Sequence, residues 1–178
     1  LVKEHAKPKI INDLDDPTCQ ALEATGRWIE LLIPLHDGDA SFILTSAYGF
    51  AGASAGGDDY VANETFIALL AARAAQRRRA AQVICTNLNI DPSESEVTIA
   101  AVDSGLLRDL PNDWFDNRTA PPTYCLTGVT ADMQGSGVTR IDTALANPVA
   151  AHLCSKLHCD YEVAKGYDHV AIIMQLDV

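Results

Sequence analysis

Apolar and polar positions along the chain switch between two periods, and these divide it into short strands and two helices. Arg27 to Leu35 (RWIELLIPL) reads as a strand. His36-Asp37-Gly38-Asp39 follows as a tight turn with the Asp-Gly pair that hairpins favour, and Ser41 to Tyr48 (SFILTSAY) is the partner strand. A Gly/Ala/Ser-rich loop spans Gly49 to Gly57; no Gly-Lys-Ser/Thr follows, which excludes a nucleotide P-loop. Val61, Phe66, Ile67, Leu69, Leu70 and Ala74 form a stripe at helical spacing. It predicts a helix near 59–80, capped by Asp58 or Asp59 and ending in Arg77-Arg78-Arg79. Gln82 to Thr86 (QVICT) is a short interior strand. Ser93-Glu94-Ser95-Glu96 has the form of a capping box, which predicts a helix from about Glu94 to Asp103, stopped by Gly105.

Beyond it, residues 108–122 read as a long irregular stretch with Pro111, Pro121 and Pro122, packed down by the Trp114-Phe115 pair. Thr123 to Leu126 is a short strand, Thr130 to Gly137 a flexible loop, and Val138 to Ala146 a strand. Asn147-Pro148 starts a helical turn, and strands over Lys156–Ala164 and Val170–Asp177 close the chain. Residues 1–26 read as a polar, irregular extension in which Thr18 caps a short helix after the Asp15-Asp16-Pro17 turn. Hairpin, helix, strand, helix and then several strands is mixed α/β, without the regular alternation of a doubly wound sheet.

Composition narrows this to one globular domain with a real core, since the 178 residues are 48% hydrophobic and 21% charged. No apolar run approaches the ~18 residues of a membrane helix, so no membrane span is expected. The 13 Lys and Arg against 24 Asp and Glu leave a net charge of -11, which disfavours nucleic acid as a partner. The arginine triplet sits where a helix dipole favours cations. Five scattered cysteines without a CxxC pair fit reduced thiols, several buried, in an intracellular protein. His152, Cys154, His158 and Cys159 are soft metal ligands, but their spacing fits no zinc pattern, and on a strand His158 and Cys159 face opposite ways. The start at Leu1, without an initiator Met or signal-peptide pattern, leads to the expectation that the chain begins inside a longer product or after processing.

Four polar features lie at or beside strand ends, where α/β proteins build sites. They are Tyr48-Gly49-Phe50, Asn87-Leu88-Asn89, Arg140-Ile141-Asp142 and Asp168-His169. Their order resembles the second half of the endonuclease/exonuclease/phosphatase family, the Mg²⁺-dependent DNase-I-like and apurinic-endonuclease-like phosphodiesterases. Tyr48-Gly49 precedes a helix carrying Asn63. Thr86-Asn87-Leu88-Asn89 occupies the place of Gly-Asp-Phe-Asn, with Asp91-Pro92 after it. Leu107-Arg108-Asp109 matches an acidic loop position, Pro122-Thr123-Tyr124 a Pro-Thr-aromatic strand, Arg140-Ile141-Asp142 the Arg-Ile-Asp motif, and Tyr167-Asp168-His169 the Ser-Asp-His that precedes the last strand.

The resemblance covers roughly residues 27–178 and implies a partial or complete four-layer α/β sandwich with mixed sheets, forming a single domain over 1–178 that lacks the N-terminal part of the fold. It implies a site of His169, Asp168, Asn89, Asn87 and Asp142. In that site an acid-oriented His169 would donate to the phosphate, Asn89 would contact it, and Asp168 would help hold magnesium. Two departures bear on activity. Asn87 stands where the family has the Asp that activates water, and an amide cannot accept that proton. Residues 1–26 hold no strand ending in the family's metal-binding Glu; Glu23 and Glu30 are the nearest acids, and neither follows an apolar strand. The reading is a degenerate domain, catalytically weak or inactive, that binds a protein partner or serves as a structural subunit of a larger assembly. The alternative is a magnesium-dependent phosphodiesterase whose metal-binding half lies outside this chain.

Overall fold

A computed structural model describes residues 7–13, 15–35, 41–115, 120–126, 128, 138–165 and 167–177. The expected hairpin turn at 36–39 and the loop at 130–137 lie outside the described residues. A six-stranded mixed sheet runs in the order β1 (Lys9–Ile10), β2 (Trp28–Pro34), β3 (Ser41–Tyr48), β4 (Ala81–Asn87), β8 (Asp142–Ala146), β5 (Arg108–Asp109). Only β3 and β4 are parallel, joined by the crossover helix α2 (Gly57–Gln76). β9 (Cys154–Asp160) and β10 (Ala171–Leu176) form a separate antiparallel ribbon, and β6 (Tyr124–Cys125) pairs with β7 (Val138–Thr139).

Alternation along the strands builds two cores. On one face, Ala47, Ile84 and Leu145 pack against Leu22 of α1 (Pro17–Thr25), Phe66, Leu70 and Ala74 of α2, and Ala101 of α3 (Glu96–Asp103). Each large side chain buried this way contributes about 1.5–3 kcal/mol. On the other face, Phe42, Val83, Ala144 and Ala146 meet Leu157 of β9, Ile172 and Met174 of β10, Leu110 of α4 (Leu110–Trp114) and Ala150 of α5 (Pro148–Ala151). The architecture is therefore a helix layer, the main sheet and a two-stranded ribbon. Among the described residues no helix is long and apolar enough to cross a membrane.

Several element ends differ from the expectations. Asp16, not Thr18, caps α1 by accepting from the Cys19 N–H at 2.8 Å, because Pro17 takes the first helical position, where no N–H is needed. Helix α2 starts at Gly57 with Gly56 as its N-cap and no side-chain cap, so Asp58 and Asp59 lie inside its first turn. Helix α3 is capped by Ser95, since Ser93 is drawn into a turn by Asp91, whose Oδ1 accepts from its N–H and its hydroxyl. The stretch at 108–122 is not wholly irregular: it holds β5 and α4, and Pro111 is tolerated in the first turn of that helix. Phe115 packs on the core, but Trp114 is largely exposed. The strand expected over 138–146 is broken at Arg140-Ile141, and β9 stops at Asp160, whose Oδ1 turns back to the N–H groups of Glu162 and Val163.

Candidate active site

The sheet topology places three strand ends together. Parallel β3 and β4 both finish on one edge, antiparallel β8 begins there, and Tyr48, Asn87 and Asp142 fall in register across them. Beyond β4 the chain turns tightly. The Asn87 Oδ1 accepts from the Asn89 N–H at 2.8 Å, and Asn89 adopts a left-handed φ of 54°, which Asn tolerates better than most residues. The Asn89 Nδ2 then donates to the Gly49 carbonyl at 3.0 Å. Fully buried Asn63 of α2 clamps the same place from below, accepting from the Phe50 N–H and donating to the Leu88 carbonyl, both at 2.9 Å.

The imidazole of His169 arrives from the segment before β10, which forms a single β-bridge to Tyr124. Its Nδ1 lies 2.9 Å from the Asp142 Oδ2, and the Tyr124 ring sits 5.1 Å away, centroid to centroid. The carboxylate fixes the Nδ1–H tautomer and leaves Nε2 for a substrate. Burial pushes the Asp142 carboxyl above its ordinary value, opposed by the hydrogen bond from His169.

The five residues nominated from sequence divide between two adjoining hollows. Asn89, Asp168 and His169 line a cleft of about 300 Å³ together with Tyr48, Tyr124, Asp91 and Glu94. Asn87 and Asp142 line a gap of about 270 Å³ between the main sheet and the ribbon, beside Ser46, Cys85, Ile172 and Met174. The Asp142–His169 hydrogen bond joins the two. Asp168 is exposed, and its backbone carbonyl accepts from the Cys125 N–H at 2.9 Å.

Magnesium takes six oxygen donors, commonly one or two carboxylates plus waters and phosphate. Among the described residues no three His, Cys, Asp or Glu side chains converge on one point, including the His152, Cys154, His158 and Cys159 group. Asp142 is engaged by His169 and the Asn87 oxygen by Asn89, while Asp168 shares the cleft with Asp91 and Glu94. The described residues therefore offer no cluster of three protein ligands for a metal ion.

Arg140 lies 3.7 Å from Asp91 of the cleft, but its closer partner is Asp109. It pairs with Asp109 through both terminal nitrogens, at 3.0 and 2.8 Å, and the same carboxylate accepts from the Thr143 hydroxyl. Both members are buried, so Asp109 holds the loop before β8 rather than a ligand. The arginine triplet is on the opposite side of the sheet edge, one length of β4 or about 20 Å from the site. There Arg77 reaches Glu30 and Asp13 at 3.7 and 3.9 Å. Thr123 was legible as part of a motif, but its use was not: its Oγ1 accepts from the N–H groups of both Ile141 and Asp142. No spacing in the sequence signals such a contact.

No family model and no curated protein matches the chain. Solved structures do. An AP endonuclease from Archaeoglobus fulgidus aligns with TM-score 0.68 at 18% identity, over 97% of this chain and 72% of its own. A mannosyl-6-phosphatase from Bacteroides thetaiotaomicron aligns with TM-score 0.57 at 13% identity, over 85% and 57%. An endonuclease/exonuclease/phosphatase family protein from Leptotrichia buccalis gives TM-score 0.56 at 12% identity, over 85% and 54%. The chain thus spans between 54% and 72% of the length of these proteins. Its mixed sheet, crossover helix and strand-end cleft give it the DNase-I-like α/β fold of the endonuclease/exonuclease/phosphatase family.

Proposed function

We propose that this chain is a phosphoester-binding domain of the DNase-I-like type that is hydrolytically weak or inactive by itself and works as a binding or structural subunit of a larger assembly. The observation that carries this reading is the state of Asn87. It sits at the strand end beside Asp142, its oxygen is spent on the Asn89 N–H, and it can take no proton from water. Removing a general base of this kind costs roughly a factor of 10² to 10⁴ in rate. The lack of a metal donor set among the described residues acts on the same step. What is left suits binding: the His169 Nε2, a donor when the ring carries both protons, the second Asn89 amide hydrogen, and two tyrosines at the cleft wall. Ile10 and Ile29 on the main sheet and Ile173 on the ribbon are exposed, which supports a protein partner.

One observation favours a second reading, a magnesium-dependent phosphodiesterase completed by polypeptide outside this chain. The 2.9 Å Asp142–His169 contact is the orientation a proton-donating histidine needs. Hydrolysis of single- and double-stranded DNA, of RNA and of a chromogenic phosphodiester, with Mg²⁺ or Mn²⁺, tests the first reading. The expected result is no turnover above that of His169→Ala. Turnover that vanishes in His169→Ala overturns the first reading.

A further inference from the structure

We propose that Thr123 is a positioning residue for the Asp142–His169 pair and acts through its hydroxyl; the functional weight of this rests on reading that pair as the working part of the site.

Thr123 is 1% exposed, and every hydrogen-bonding group it owns is directed to one of the two segments that carry the pair. Its N–H donates to the Thr139 carbonyl at 3.1 Å, and its carbonyl accepts from the Val170 N–H at 2.7 Å. Its Oγ1 accepts from the Ile141 N–H at 3.2 Å and the Asp142 N–H at 2.9 Å. One residue therefore ties the start of β8 to the approach to β10.

The place is one where the sheet offers no alternative. The run from β7 to β8 breaks at Arg140-Ile141, so the strand ladder does not hold these amides in the usual way. Arg140 is pulled aside to Asp109, and the Ile141 carbonyl is taken by the Leu88 N–H at 2.7 Å. A side-chain oxygen must take the two N–H groups, or they stay buried without an acceptor. Threonine suits this better than serine because its branched Cβ restricts χ1, holding the oxygen in one direction. The next residues continue the splint: Tyr124 bridges His169, and the Cys125 N–H donates to the Asp168 carbonyl.

The test needs no substrate. Ring-nitrogen NMR of the whole chain, at a pH where the imidazole is neutral, reports which tautomer His169 holds. The Nδ1–H form is expected in the natural chain and in Thr123→Ser. In Thr123→Val, which keeps the shape and removes the oxygen, that preference should be lost and the pattern should become that of a free imidazole. A folded Thr123→Val that keeps the Nδ1–H form overturns the proposal. So does loss of it in Thr123→Ser, which would make the methyl group the cause. Should Thr123→Val fail to fold, amide exchange in the natural chain decides. Ile141 and Asp142 amides protected like those of β4, together with the Nδ1–H form in Thr123→Ser, support the proposal. Free exchange at those amides overturns it. Because both readouts are taken without turnover, a hydrolytically silent chain leaves this result standing, and an active one does not establish it.

Discussion

Asn87 and Asp142 are direct cross-strand partners, the last residue of β4 opposite the first of β8. Side chains so paired share a face with Cβ atoms roughly 4.5–5.5 Å apart. The pair is an amide beside an acid whose carboxyl is already pushed up by burial. A second carboxylate there would place like charges together, while its oxygen could still accept from the Asn89 N–H. Asn87→Asp is therefore expected to lower stability at neutral pH by about 0.2–1 kcal/mol, read from urea unfolding. It should not raise hydrolysis, because among the described residues no three acidic, imidazole or thiol side chains converge to hold a metal. A gain in both stability and turnover would count against this account of the site.

Glu30 and Arg73 form the most deeply buried ion pair among the described residues, with the Arg73 Nη2 2.9 Å from the Glu30 Oε2 and side chains 2% and 0% exposed. Asp16 and Asp13 add weaker contacts at 3.4 and 3.7 Å. Glu30→Gln leaves a buried guanidinium facing an amide and is expected to cost about 3–5 kcal/mol. Replacing both residues by Met should cost far less than the single change, since no charge is stranded. Equal losses in the single and the double variant, measured by thermal unfolding, would contradict this.

Gly49 marks how closely the site is packed. A Cβ there would stand 2.5 Å from the Leu88 carbonyl oxygen and 2.6 Å from the Asn63 Oδ1. One of those groups is backbone and the other is held by two hydrogen bonds, so neither yields easily. Gly49→Ala should cost about 1–3 kcal/mol through overpacking. The displacement should also be visible as shifted amide resonances at Phe50 and Asn89, the two residues whose contacts run through this point. An unchanged spectrum at both would show that the turn is not under this constraint.

The strands β3 and β4 were legible because contiguous apolar, β-branched runs have few other uses, and β3 matches its expected span of Ser41–Tyr48. The helix α2 was legible from its stripe. Its start was not, since no side chain caps it. What failed to show in sequence depended on distant partners. The break at Arg140-Ile141 comes from Asp109, 31 residues earlier, and the shift of the α3 cap from the use of Ser93 by Asp91. Among site residues, strand-end position singled out the segments that hold Asn87, Asn89, Asp142, Asp168 and His169, and the family resemblance picked out these residues within them. Their division between two hollows depends on how the ribbon lies on the sheet, which no local pattern encodes. The Thr123 hydroxyl contacts fall 18 and 19 residues away in the chain and were invisible for the same reason.

Acid titration isolates the environment of Asp142. Its carboxyl is raised from 3.8, first by burial, with the hydrogen bond from His169 opposing. A carboxyl whose pKa is higher in the folded chain binds its proton more tightly there than in the unfolded chain. Its stabilising contribution is complete below the unfolded value and is lost as pH rises through the folded one. Other carboxylates titrate over the same range, so the comparison must be with Asp142→Asn, which cannot ionise. From about pH 3 to about pH 6, within which ordinary carboxylates ionise, the natural chain should lose stability relative to Asp142→Asn. Urea midpoints at closely spaced pH values give the curve. A difference that stays flat, or that moves in favour of the natural chain as pH rises, would mean that the His169 contact outweighs burial and that the Asp142 carboxyl is lowered instead.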